Sequence, residues 1–75
     1  MTPKLPALKP KQVIRALSKA GFLVDHQTGS HVIMYKNDYS PPVTIPYHNK
    51  DLKTGTVRNI LKQAQLTAEE FIKYL

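Results

Sequence analysis

At 75 residues the chain is a single domain, near the size at which one core, burying roughly 60% of the unfolded surface, holds without staples. The absence of cysteine excludes a disulfide framework, a thiolate nucleophile and a Cys-based zinc site, and fits a cytoplasmic setting. Eleven Lys and Arg against five Asp and Glu give a net charge of +6, a field that favours phosphate polyanions or anionic membranes. No apolar run approaches the roughly 18 residues of a membrane span, and the N-terminus has no uninterrupted apolar region to serve as a signal peptide. Nucleic acid is therefore the favoured partner, with a charge kept only for solubility as the alternative.

Residues 1–10 carry Pro3, Pro6 and Pro10 and read as an extended leader, with Pro10 near the first helical turn, where its missing N–H costs nothing. Residues 11–75 form the domain. Val13, Ile14, Leu17 and Ala20 share one helical face, and Gly21 is placed as a left-handed stop, so a first helix ends at Ala20. Residues 22–27 read as a strand, Thr28-Gly29-Ser30 as a turn, and residues 31–36 as a second strand in a hairpin. Alternation places His31, Ile33 and Tyr35 on one face, and Val32, Met34 and Lys36 on the other.

Residues 37–42 have loop composition, and Val43-Thr44-Ile45 form a third strand closed by Pro46. Val57, Ile60, Leu61 and Ala64 then mark a second amphipathic helix over residues 55–64 with Thr54 as N-cap. Thr67-Ala68-Glu69-Glu70 is a capping-box pattern that opens a short last helix carrying Phe71, Tyr74 and Leu75. The expected fold is α+β, in the order α-β-β-β-α, with a three-stranded antiparallel sheet covered on one face by helices. That is the arrangement of a double-stranded-RNA-binding fold, which reads RNA shape and phosphates.

Cleaving RNA without metal takes a base for the ribose 2′-hydroxyl, an acid for the leaving oxygen and cations for the developing charge. The five carboxylates form no paired acidic motif and the histidines (His26, His31, His48) lack the i, i+4 spacing of a helical zinc site, so neither metal nor other cofactor is expected. His31, at the mouth of the turn and the edge of the sheet, is the candidate acid or base. Gly29 lets backbone approach a ligand closely and Ser30 adds a hydroxyl. Taken alone, this Gly-Ser-His triplet equally fits an exposed structural histidine.

His48 reads as a loop histidine able to approach the same region if the sheet order allows, and His26 as an exposed strand residue. Lys36, Lys50, Lys53 and Arg58 are candidate phosphate contacts, and the residues 54–56 at the start of the second helix offer N–H groups to an anion. Each of these cations also fits a merely solvated charge. Tyr35, Tyr39 and Tyr47 are candidate stacking platforms, or part of the core.

From about Lys11 to Leu75 the sequence resembles the HicA family of toxins. The ordered signals are Ala20-Gly21-Phe22, Gly29-Ser30-His31, Ile45-Pro46 with His48, Gly55-Thr56, Ile60-Leu61-Lys62-Gln63-Ala64 and Thr67 to Phe71. The resemblance implies a monomeric, metal-independent endoribonuclease of a type II toxin–antitoxin system. It implies that mRNA is cleaved with the histidine matched by His31, and that a HicB-like antitoxin blocks the enzyme. Gln65 replaces the family's usual glycine, which should change how the second helix ends, and Tyr47 stands where a smaller residue is common. A non-catalytic RNA-binding module is the runner-up reading, and a protein-interaction domain the third.

Overall fold

A computed structural model describes residues 5–75; the expectation of an extended course at Pro3 lies outside them. Helix α1 spans Pro10–Lys19, strands β1, β2 and β3 span Leu23–Thr28, His31–Tyr35 and Val43–Pro46, and helices α2 and α3 span Thr54–Ala64 and Ala68–Lys73. The strands form one antiparallel sheet in the order β1-β2-β3. The architecture is the α+β, α-β-β-β-α arrangement with a short C-terminal helix.

Pro10 occupies the first helical position of α1, and the Gln12 side chain accepts from the Lys9 backbone N–H at 2.8 Å, which satisfies one N–H at the helix entry. At the other end Gly21 takes φ 103°, with Phe22 N–H donating to Leu17 O and Gly21 N–H to Ser18 O. This paired bonding is the left-handed termination that glycine favours. Phe22 precedes β1, which starts one residue later than expected and runs on to Thr28, because Phe22 turns into the core while Thr28 pairs with His31.

The end of α2 departs from expectation. Gln65 adopts φ 60°, Leu66 N–H donates to Leu61 O and Gln65 N–H to Lys62 O. The helix therefore stops as it would at a glycine, and the side chain bears the left-handed strain. The start of α2 is also one residue earlier than expected: Lys53 holds the N-cap position, with no side-chain cap, and Thr54 lies inside the helix. In α3 the capping box is present, with Glu70 N–H donating to Thr67 Oγ1 at 3.1 Å and Thr67 N–H to Glu70 Oε1 at 3.0 Å. Those bonds hold the Glu70 carboxyl below its usual range.

The core joins Val13, Ala16 and Leu17 of α1, Val32 and Met34 of β2, Val43 and Ile45 of β3, Val57, Ile60 and Leu61 of α2, and Phe71 of α3. Leu5 and Leu8 belong to it as well, and Leu8 forms an antiparallel bridge with Leu52. The extended segment before α1 is thus packed against the domain from Leu5 onward. Both α1 and α2 lie on β3, and the Gln63 side chain of α2 accepts from the Thr44 N–H at 3.1 Å. Every residue of β1 is exposed.

Candidate active site

β2 alternates as its sequence predicts: Val32 and Met34 are buried, while His31 is exposed and Ile33 and Tyr35 are half-buried on the opposite face. That face has no helix over it. Cross-strand partners share a face, so the register adds Thr28, paired with His31, His26, paired with Ile33, and Leu23, paired with Tyr35, from β1. From β3 it adds Pro46, opposite His31, and Thr44, opposite Ile33.

His31 opens the central strand, so it sits at the end of the sheet beside the hairpin turn, not on a lateral edge. Its Nδ1 lies 3.0 Å from Ser30 Oγ. Thr28 Oγ1 donates to the His31 carbonyl at 3.4 Å, and the Ser30 carbonyl accepts from Tyr47 N–H at 2.8 Å. The backbone around His31 is thus held from both sides, while the ring itself is engaged only by Ser30, at Nδ1. The hairpin loop is only Gly29-Ser30. Gly29 has no left-handed φ, and a Cβ there would meet nothing within 4 Å, so the turn itself does not require glycine.

The phosphate-contact candidates do not converge. Lys36 follows the far end of β2, five residues or about 17 Å of extended chain from His31, and its Nζ lies 5.9 Å from the centroid of the Phe22 ring. Arg58 borders a shallow groove with Leu5, Leu61 and Leu66 between α2 and α3. Lys50 and Lys53 lie on the segment that leaves β3 beside His31. In it, Lys50 N–H donates to His48 Nδ1 at 3.2 Å. With Lys53 as an N-cap that cannot accept, the first N–H groups of α2 have no side-chain partner.

Two features leave little trace in the sequence. A groove lined by Lys9, Pro10, Lys11, Tyr47, His48 and Asn49 opens where α1 begins, and a second, sharing Lys11 and Tyr47, adds Arg15. The sheet order brings His48 to this end of the molecule. Among the described residues the single contact between a basic side chain and a carboxylate is His26 with Asp25, so the lysines and arginine of these grooves carry unneutralised charge. Of the tyrosines, Tyr47 packs against the core, Tyr35 is half-buried on the open face and Tyr39 is exposed.

The second feature is a bulge in β1 between Val24 and His26. In a regular strand Asp25 and His26 would point to opposite faces. The extra residue turns both toward the open face, and His26 Nδ1 lies 2.7 Å from Asp25 Oδ2. No composition or spacing signal marks the bulge; an Asp-His dipeptide in a strand is its only trace.

Among the described residues no three His, Asp or Glu side chains are grouped to hold a metal ion, and no helix is long and apolar enough to cross a membrane. A family model described as the HicA toxin of bacterial toxin–antitoxin systems matches residues 10–66. No curated protein sequence matches the chain.

Proposed function

This chain belongs to the HicA toxin family, the toxin half of a toxin–antitoxin system, and from that premise we propose that it is a metal-independent endoribonuclease acting on mRNA in the cytoplasm. The observation that carries the proposal is His31. It is an exposed imidazole whose Nδ1 is engaged by Ser30 and whose backbone is fixed between Thr28 and Pro46, on a sheet face that no helix covers. A positioned imidazole of this kind transfers a proton at neutral pH.

Gly29 and Ser30 form the turn against which RNA rests, and Lys50 and Lys53 contact its phosphates. Lys36 and Arg58 serve as more distant contacts, since neither is near His31. The partner is a HicB-like antitoxin that covers the His31 side of the sheet with carboxylates facing the basic groups, and the toxin is a monomer when free. Association with such a partner slows as salt rises.

The test is cleavage of labelled single-stranded RNA. His31→Ala should lower the rate by about 10²–10⁴ while leaving the thermal midpoint and RNA affinity unchanged, and EDTA should leave wild-type cleavage intact. Cleavage by His31→Ala at the wild-type rate overturns the assignment. RNA binding without cleavage by the wild type would favour the non-catalytic module of the same fold. Replacing both Lys50 and Lys53 by alanine should flatten the plot of log affinity against log salt by about 0.7 for each phosphate that a lysine no longer neutralises.

A further inference from the structure

Deepening the endoribonuclease reading, on which this inference rests, we propose that His26, oriented by Asp25 across the β1 bulge, is the general base that completes the site, with His31 as the acid. Placement comes first. His26 is paired with Ile33, and His31 lies two residues before Ile33 on the same face of β2. The two histidines are therefore diagonal cross-strand neighbours, about 7–8 Å apart. A phosphate between the two rings is within reach of a hydrogen bond of about 2.6–3.2 Å from each.

Tautomer decides the roles. A carboxylate only accepts, so the 2.7 Å contact requires His26 Nδ1–H to donate to Asp25 Oδ2. In the neutral ring the lone pair is then on Nε2, facing solvent, where a base needs it. The carboxylate also stabilises the imidazolium that forms when the ring takes a proton. His48 has the opposite arrangement, since its Nδ1 accepts from Lys50 N–H and its Nε2 must carry the proton. It can donate to a phosphate oxygen but cannot act as the base. His31 has the serine hydroxyl of Ser30 at its Nδ1, a partner that donates or accepts and so tolerates both charge states.

In the reaction His26 Nε2 removes the 2′-hydroxyl proton as the O2′–P bond forms, and protonated His31 gives its proton to the 5′-oxygen as the P–O5′ bond breaks. The products are a 2′,3′-cyclic phosphate and a 5′-hydroxyl. One proton is taken and one given, and the two rings return to their starting states through solvent. The titratable groups facing His26 are Asp25 on its own strand and His31 and Tyr35 across β2. Lys36 and Asp38 share a groove with Asp25 and Tyr35.

The experiment compares pH–rate profiles of wild type, His26→Ala and His31→Ala on the same labelled RNA, with thermal midpoints and RNA affinities measured alongside. His26→Ala should lose about 10²–10⁴ in rate and the limb that rises with pH, while His31→Ala loses the falling limb. Asp25 is a positioning residue. Asp25→Asn should lower the rate without changing affinity, and nitrogen NMR of the imidazole should show His26 losing its fixed Nδ1–H tautomer. If His31→Ala is inactive while His26→Ala keeps the wild-type rate and both limbs, the His26 assignment falls and the endoribonuclease reading stands. If both variants cleave as wild type does, the His26 and His31 assignments both fall; if the wild type does not cleave RNA, the endoribonuclease reading falls with them.

Discussion

β1 and β3 flank the same central strand and could hardly be treated more differently by the rest of the chain. β3 alternates buried and half-buried residues, with Val43 and Ile45 fully enclosed beneath α1 and α2, and a side chain from α2 satisfies the Thr44 N–H. β1 buries nothing, leaves Leu23 and Val24 73% and 52% exposed, and carries a bulge. The difference separates two tasks. In a domain this small the stability must come from the covered side of β2 and β3, which frees the β1 side and the open face for contacts with other molecules. A bulge and a hydrogen-bonded Asp25–His26 pair on a bare outer strand also discourage pairing with another chain's edge.

The sharpest way to break this contrast is to truncate each strand. Ile45→Ala should cost about 2–5 kcal/mol, the range for an enclosed large apolar side chain, read as a drop in the denaturant midpoint. Leu23→Ala on β1 should stay within about 0.5 kcal/mol of wild type. A Leu23 variant as damaging as the Ile45 one would show that β1 is part of the stabilising core. Next in size is Leu8→Ala, expected to cost about 2–3 kcal/mol, because Leu8 is buried and bridges to Leu52. A negligible cost would mean that the segment before α1 contributes nothing to the fold.

Thr67→Ala should cost about 1 kcal/mol by removing the α3 cap. The Glu70 half of that cap depends on pH. Its carboxyl is lowered chiefly by the bonds to Thr67, so its contribution is present above the usual carboxylate range and is lost as pH falls through the lowered value. In Glu70→Gln the acid limb of the stability curve should therefore be shallower. Similar in size but opposite in sign is Gln65→Gly. Relieving the left-handed φ of 60° should raise stability by about 1 kcal/mol, seen as a higher thermal midpoint with unchanged cleavage.

Much of this architecture is legible in the residues. The apolar spacing in α1 and α2, the alternation in β2 and the capping box at Thr67 each depend on neighbours close in sequence, and each appears in the structure within a residue or two of its expected place. His31 is found where the hairpin puts it, although on the central strand, because strand order is a long-range property that local pattern does not carry. The bulge is invisible for a related reason. It is defined by a mismatch in count between two paired strands, and reading Asp25 and His26 by simple alternation sends them to opposite faces. Lys9, Lys11 and Arg15 do not stand out in the sequence because their grouping with Tyr47 and His48 comes from the return of the chain after β3. Conversely, Lys36 and Arg58 look like companions of His31 only when charge is read without distance.

The central claim is that chemistry occurs on the open face of the sheet and that the helical face only supports it. Amide and imidazole NMR shifts on addition of a 2′-O-methyl RNA, which lacks the hydroxyl nucleophile and cannot be cut, test it most directly. The account predicts the largest changes at His26, Thr28, His31, Ile33 and Thr44, with little change along the exposed sides of α2 and α3 at Lys62 and Glu69. Changes concentrated on α2 and α3, with the open face silent, would contradict it.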